Sequence, residues 1–348
     1  MKTQKKPGKF KRILSKRGMG QVITATVGLV ALVVVFGFLN PYFLTSRNIS
    51  NLLRQIAPTL LTGIGQSYVL ITGNIDLSIG SVVGMSCMVS ATLMTKGVNP
   101  WMAVLITYLA TFLVGFLNGQ LVSRAKLPAF IATLGTMTIA RGIAQIVNNN
   151  YNTDSIGEAA AGFMDFFYYG RTFGMFNTIW ITMFIWLVFN LLLSRTRTGR
   201  HLYAVGSNIH ASHLSGVNIN ATITKAYLVS AFCATTVGFI TTATSGMGTM
   251  DAGNGYELFA VAASVIGGVS TLGGQGILLG TVIGASIWGV LQNGLQFAGA
   301  PVAIRNIVIG VIVIVTVLLD IVVRTNKKAV RVKSGSHTNP LSVLKHKG

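Results

Sequence analysis

The feature that most restricts this chain is a series of apolar runs too long and too poor in charge for a soluble fold. Val22–Leu39, Trp101–Val122, Thr178–Leu193 and Ala226–Thr244 hold no charged residue, and Pro128–Val147 holds only Arg141. Wound as helices, such runs reach across about 30 Å of hydrocarbon. There, every backbone N–H and C=O must pair within the protein, which favours helices for runs of this length. Composition agrees: 51% of the 348 residues are hydrophobic, 10% are charged, and 40 are Gly, a residue favoured where membrane helices pack closely. The expectation is an all-α, polytopic membrane protein.

The net charge of +20 is not arranged for nucleic acid. Eight Lys/Arg fall in Lys2–Arg17 and seven in Arg324–Lys347, so fifteen of 27 sit in two short tails beside apolar spans. Under the positive-inside rule both termini are cytoplasmic, and no nucleic-acid partner is expected. Asp154, Glu158, Asp165, Asp251 and Glu257, five of the seven acids, fall in two polar stretches read as outer loops. Cys87 and Cys233 lie in apolar spans, so no disulfide or zinc framework is expected. The first span lacks a small-residue cleavage site and reads as a retained helix, not a removed signal peptide.

Along the chain this gives about eight to ten transmembrane helices. A basic tail at 1–20 precedes a transmembrane region at 21–323, and a second basic tail fills 324–348. Within the region, 148–177 is a long outer loop whose "FMDFFYYG" reads as an interfacial aromatic belt, and 195–220 is a polar inner segment. "LTSRNISNLLRQIAP" reads as a short interfacial helix on the outer side, and "SGMGTMDAGNGYE" as the second outer loop. Thr59–Thr72 and Leu258–Ile266 are short for spans and read as broken or re-entrant. Each precedes an interruption, and "GNIDLSIG" (Gly73–Gly80) aligns without gaps to "GGVSTLGG" (Gly267–Gly274). Paired interruptions in two halves point to a functional site between internal repeats.

Asp76 stands in the first interruption, bracketed by Asn74 and Ser78. It ends a helix, lines a path, or carries a coupling ion. The preferred reading is that Asp76 caps the helix that follows, accepting from amides near Ser78 and Ile79. Arg141 and Asp320 read as structural, Asp320 pairing with Arg324 on one helix face.

No GxxxxGK[ST] loop occurs, so the chain is not expected to hydrolyse ATP, and no HExxH occurs either. His201, His210 and His213 have no acid or Cys beside them and read as solvated loop residues, with no metal site. "STLGGQG" lies at membrane depth and reads as close helix packing or a broken helix rather than a phosphate cradle. In "GRHLYAVGSNIHASHLSGVNI", Gly199, Gly206 and Gly216 bracket a short amphipathic helix that Ser207 or Asn208 is suited to cap. It is either a basic interfacial loop or a docking surface.

"PYFLTSRNISNLLRQ", "ITGNIDLSIGSVVG", "NGQLVSRAKLPAFIATLGTMTIARG", "GRHLYAVGSNIHASHLSGVNI" and "VIGGVSTLGGQG", in this order over Asn40–Val323, resemble the permease subunits of ribose-type monosaccharide ABC importers. The resemblance implies a homodimer in the bacterial inner membrane, a cytoplasmic ATP-binding subunit that uses ATP-Mg, and an extracytoplasmic sugar-binding protein. The chain itself then binds no cofactor. It further implies that Arg200, Tyr203, Gly206, Asn208, Ala211 and Gly216 belong to the segment that couples to the ATPase. A monosaccharide path on membrane lipid-embedded spans would use small polar groups. Gln66, Asn74, Asp76, Ser78, Asn118 and Thr133 are candidates by polarity, with packing or capping the alternative for each. An ion-coupled secondary transporter working at Asp76 is the competing reading, and no channel filter is evident.

Overall fold

A computed structural model describes residues 19–305, with 307, 308, 310–312, 314 and 318. The two basic tails and the Asp320–Arg324 pair lie outside the described residues. Eleven helices of six or more residues carry the fold up to Phe297. They are α1 (Met19–Leu39), α2 (Ser46–Ile71), α3 (Ile79–Thr95), α4 (Pro100–Ser123), α5 (Ala129–Ile146), α6 (Asn177–Arg195), α7 (Arg197–Ser207), α8 (Ile209–Leu214), α9 (Ile219–Ser245), α10 (Tyr256–Ile266) and α11 (Leu278–Phe297). Among the described residues, α1, α4, α5, α6, α9 and α11 are long and apolar enough to cross a membrane, and α3 and α10 are shorter apolar helices. Between α5 and α6 lie short helical turns around Phe163 and Phe167 and the two-stranded ribbon Arg171–Thr172 with Met175–Phe176.

The core forms around α9, whose most apolar window is 78% buried against 28% for α4, which places α9 inside and α4 at the rim. It packs on α4, α2 and α3. Small residues make the approach possible. A Cβ on Gly115 would lie 2.9 Å from the Tyr227 carbonyl, and one on Gly119 would lie 2.6 Å from Thr224 Cα. In lipid, where burying apolar area gains nothing over exposing it, such backbone contact is a main source of helix association. α2 and α11 meet at Gly63 and Gly289 and are joined by polar groups as well. Asn48 and Asn293 exchange amide hydrogen bonds of 2.9 and 3.2 Å, both side chains buried.

Two expectations are corrected. The interfacial helix and the short Thr59–Thr72 segment are one helix, α2, with Pro58 inside it. Pro58 lacks an N–H, but its carbonyl accepts from Thr62 Oγ1 at 2.9 Å, and packing on α9, α10 and α11 holds both sides of the Pro in line. Only the break after Ile71 is real.

The stretch after α9 is not a simple outer loop. α3 and α9 run in the same direction, with Ser90 facing Thr242 and Gly238 against Ser86. From the C-terminal end of α9 the chain turns back along α3: Gly248 packs on Ala91, the Ala252 carbonyl on Gly84, and Gly253 on Gly80. Arg141 Nη1 holds it there by donating to the carbonyls of Met250 and Ala252, each at 2.9 Å. With a rise of about 1.5 Å per residue, Gly84 lies about 16 Å along α3 from its C-terminal residue Thr95. α10 therefore starts inside the bundle, which is why it is only 11 residues long.

Candidate functional site

At the C-terminal end of α2, four backbone segments meet. α7 is capped by Thr196, whose hydroxyl accepts from the Gly199 N–H at 3.3 Å. Asn208 follows α7 and caps α8, accepting from the Ala211 N–H at 2.9 Å, while Ser207 is the last residue of α7. Gly216 closes this segment at φ +77°, a left-handed conformation that Gly adopts without a Cβ penalty. α7 buries Leu202 and Val205 and lies against the end of α2. Gly206 is pressed against the Ile71 carbonyl, with room for no side chain, and a Cβ there would lie 2.7 Å from the Gly274 nitrogen.

The Gly274 N–H donates to the Ile71 carbonyl at 2.8 Å, and a Cβ on Gly273 would lie 2.9 Å from Gly73 Cα. The two interruptions that echo each other in the sequence thus touch, and the inner segment touches both. Tyr203 completes the contact by donating to the Gly276 carbonyl at 2.7 Å. Burial pushes its hydroxyl up to about 12, so it stays a donor at neutral pH. Arg200 and Ala211, by contrast, are exposed. A cleft of about 1120 Å³ opens beside it, lined by Asn74, Lys126, Gly206, Asn208, His210 and His213 among others. Asn74 sits half-buried at its wall, donating to Thr72 Oγ1 at 2.9 Å.

Two residues beyond Asn74, Asp76 is 3% exposed and anchors a polar network. The expected cap is not formed as such: the N-cap of α3 is Ser78, without a side-chain cap bond. Asp76 instead accepts at Oδ1 from the Ser78 N–H (2.9 Å) and hydroxyl (2.6 Å), and at Oδ2 from Ser230 Oγ (2.6 Å). The physical reason is reach. Asp76 stands three residues before α3, so its carboxylate meets the last amide outside the helix and has one oxygen left for α9. Asn118 Nδ2 donates to Ser78 Oγ at 2.9 Å, and Thr136 Oγ1 donates to Asn118 Oδ1 at 2.6 Å. The chain Ser230–Asp76–Ser78–Asn118–Thr136 therefore ties α9, the break, α4 and α5 together, each buried group satisfied by the next. Tyr227 adds a bond from α9 to the Ile75 carbonyl at 3.0 Å.

Of the path candidates, Asp76, Ser78 and Asn118 come together here. Thr133 does not: its hydroxyl donates to the Ala129 carbonyl of its own helix. Gln66 is fully buried in α2, and neither amide atom has a hydrogen-bond partner. Ser230, Tyr227 and Thr136 are members that polarity alone did not single out. Tyr227 and Ser230 are one turn apart on the buried face of α9, which is the pattern that could have found them.

Residues 48–317 match the family described as branched-chain amino acid transport system / permease component. The chain is 34% identical over 294 residues to the ribose import permease of Escherichia coli strain K12, covering 84% of this chain and 92% of the relative. It is 34% identical over 323 residues to the ribose import permease of Bacillus subtilis strain 168, covering 92% and 98%. It is 34% identical over 320 residues to the D-allose transport system permease of Escherichia coli strain K12, covering 91% and 95%. No solved structure matches the chain.

Proposed function

The chain belongs to the branched-chain amino acid transport system / permease component family, and on that premise we propose that it is the membrane subunit of a bacterial ABC importer for a monosaccharide. The observation that carries the substrate class is the end-to-end similarity to permeases named for ribose and D-allose. In this reading a second copy of the chain completes the subunit in the inner membrane. A cytoplasmic ATP-binding subunit docks on α7 and α8, and an extracytoplasmic binding protein delivers the sugar. ATP and Mg are used by the partner.

The inner junction supports the coupling role. A force applied to α7 bears at once on the end of α2 and on both interruptions, because Gly206 leaves no compressible side chain between them. Packed elements of this kind move as rigid bodies. The polar network one layer deeper links the same break to α4, α5 and α9. Ion coupling at Asp76 is less well supported, since both of its oxygens are occupied by hydroxyl or amide donors.

Reconstitution tests this. With its ATPase and binding protein, the protein should take up labelled monosaccharide only with ATP, and uptake should persist when proton and sodium gradients are collapsed. Accumulation driven by an ion gradient without an ATPase would overturn the reading.

A further inference from the structure

Two apolar cavities, of about 330 and 440 Å³, lie end to end between α4 and α9 and share Phe112 and Leu228. Together they form one groove, with α6 and α7 closing its first part. From Phe116 to Leu109 the α4 wall covers seven residues, about 10 Å of helix. Leu109, Leu113 and Phe116 are 46 to 64% exposed. The base of the groove is an aromatic cluster: Phe232 stacks on Tyr108 with 5.3 Å between ring centres and meets Phe189 edge-on at 5.6 Å. The Tyr68 hydroxyl is already taken, donating to the Phe189 carbonyl at 2.6 Å. Such walls suit a hydrocarbon chain.

One end of the groove is basic. Thr198 and Lys225 line it there, and Arg195, Arg197 and Arg200 stand within three residues of Thr198, all four cations exposed. No Asp or Glu occurs in α4, α6, α7, α8 or α9 to neutralise them. α9, with 27 residues, is about 40 Å long against about 30 Å of hydrocarbon. Lys225 stands about 9 Å from its start, where a long stem carries the ammonium to the headgroup level.

We infer that this groove binds an anionic phospholipid of the surrounding bilayer, with one acyl chain along Phe116–Leu109 and the phosphate at Lys225. Arg197 and Arg200 add to the positive field that selects an anionic headgroup. A lipid supplies both halves of the match, an apolar chain and a negative charge. A second copy of the chain does not, because the same face turned on itself would set cations against cations. The groove also touches α7 at Leu202, which is fully buried, so a bound chain packs beside the segment that contacts both interruptions. The site does not rest on the proposed function, since lipid binding is measured without transport.

Native mass spectrometry of the purified protein, offered phosphatidylglycerol or phosphatidylcholine at equal concentration, tests this. The wild type should retain the anionic lipid several-fold better, and phosphatidylglycerol should raise its thermal midpoint. Lys225→Gln should remove most of that preference and Lys225→Arg should restore it. Lys126→Gln, in the separate cleft beside Gly206, should leave it intact. Leu228→Trp, or Leu113→Trp where the first variant does not fold, should fill the groove and lower retention of both lipids. No preference in the wild type, an unchanged preference in Lys225→Gln, or an equal loss in Lys126→Gln overturns the headgroup site. Retention equal to wild type in the folded tryptophan variant overturns the groove. The native Cys87 and Cys233 are buried, so a disulfide-linked dimer from Leu113→Cys in native membranes would place a second copy on the groove and overturn the lipid assignment.

Discussion

Ser230 Oγ lies 2.6 Å from Oδ2 of Asp76, although 154 residues separate the two in the chain. This bond makes Asp76 more than a helix-end residue. It fixes the first interruption to the largely buried helix α9, and through Ser78, Asn118 and Thr136 to α4 and α5.

The network predicts an asymmetry at Asp76. Asp76→Asn keeps one acceptor oxygen and adds an amide that a serine hydroxyl can accept, so folded yield and most transport should persist. Asp76→Ala strands the Ser78 and Ser230 hydroxyls in a buried site, at about 1–3 kcal/mol for each unsatisfied group. Its thermal midpoint in detergent should fall clearly, and Asp76→Ala combined with Ser230→Ala should fall no further. If Asp76→Asn folds normally and transports nothing, the charge itself is functional.

Gly206 should tolerate no side chain. Even Gly206→Ala drives a methyl group into the Ile71 carbonyl, a contact between backbones that no rotamer change relieves. Purification should yield an inserted permease with weakened ATPase capture or with ATP hydrolysis not matched by uptake. Gly216→Val tests a different cause at the other end of the segment, since its obstacle is φ +77° rather than space. Full uptake by both variants would argue that this segment does not couple.

Tyr203→Phe removes one hydrogen bond, to the Gly276 carbonyl, and keeps the ring in place. Assembly and stability should change little, with a cost of about 1 kcal/mol. Sugar moved per ATP hydrolysed should drop, because α7 then holds the second interruption less tightly. A ratio equal to that of wild type would remove Tyr203 from the linkage.

The amide pair Asn48–Asn293 offers a test of fold rather than function. Asn293→Leu leaves the Asn48 side chain without one partner and should destabilise by roughly 1–2 kcal/mol in detergent unfolding. Asn48→Leu should cost a similar amount, since each amide has one further acceptor, the Phe43 carbonyl for Asn48 at 2.8 Å and Gln55 Oε1 for Asn293 at 3.3 Å. The double leucine variant should recover part of the loss. Strict additivity of the two losses would mean the pair is not coupled.

Local chemistry is what the sequence by itself determined. The apolar runs named the membrane helices, because length and absence of charge are properties of one segment and one solvent. A cap at Ser207 or Asn208 was legible for the same reason, since a cap and the amide it serves lie within three residues of each other, and the structure gives the role to Asn208. Even the echo of Gly73–Gly80 in Gly267–Gly274 could be read, though not that the two touch. Tertiary structure decided everything that depends on which backbone approaches which glycine. Gly80 and Gly84 look like ordinary small residues in an apolar helix until Gly253 and Ala252 are laid against them, and only then does the stretch after α9 become a segment that runs back along α3. Asp76 likewise carried its cost in plain sight, but the partner that satisfies it, Ser230, is fixed by the side-by-side packing of α3 and α9. No periodicity within either helix encodes that register; it follows from small residues allowing the two backbones to close, and from the expense of leaving a buried carboxylate oxygen without a donor.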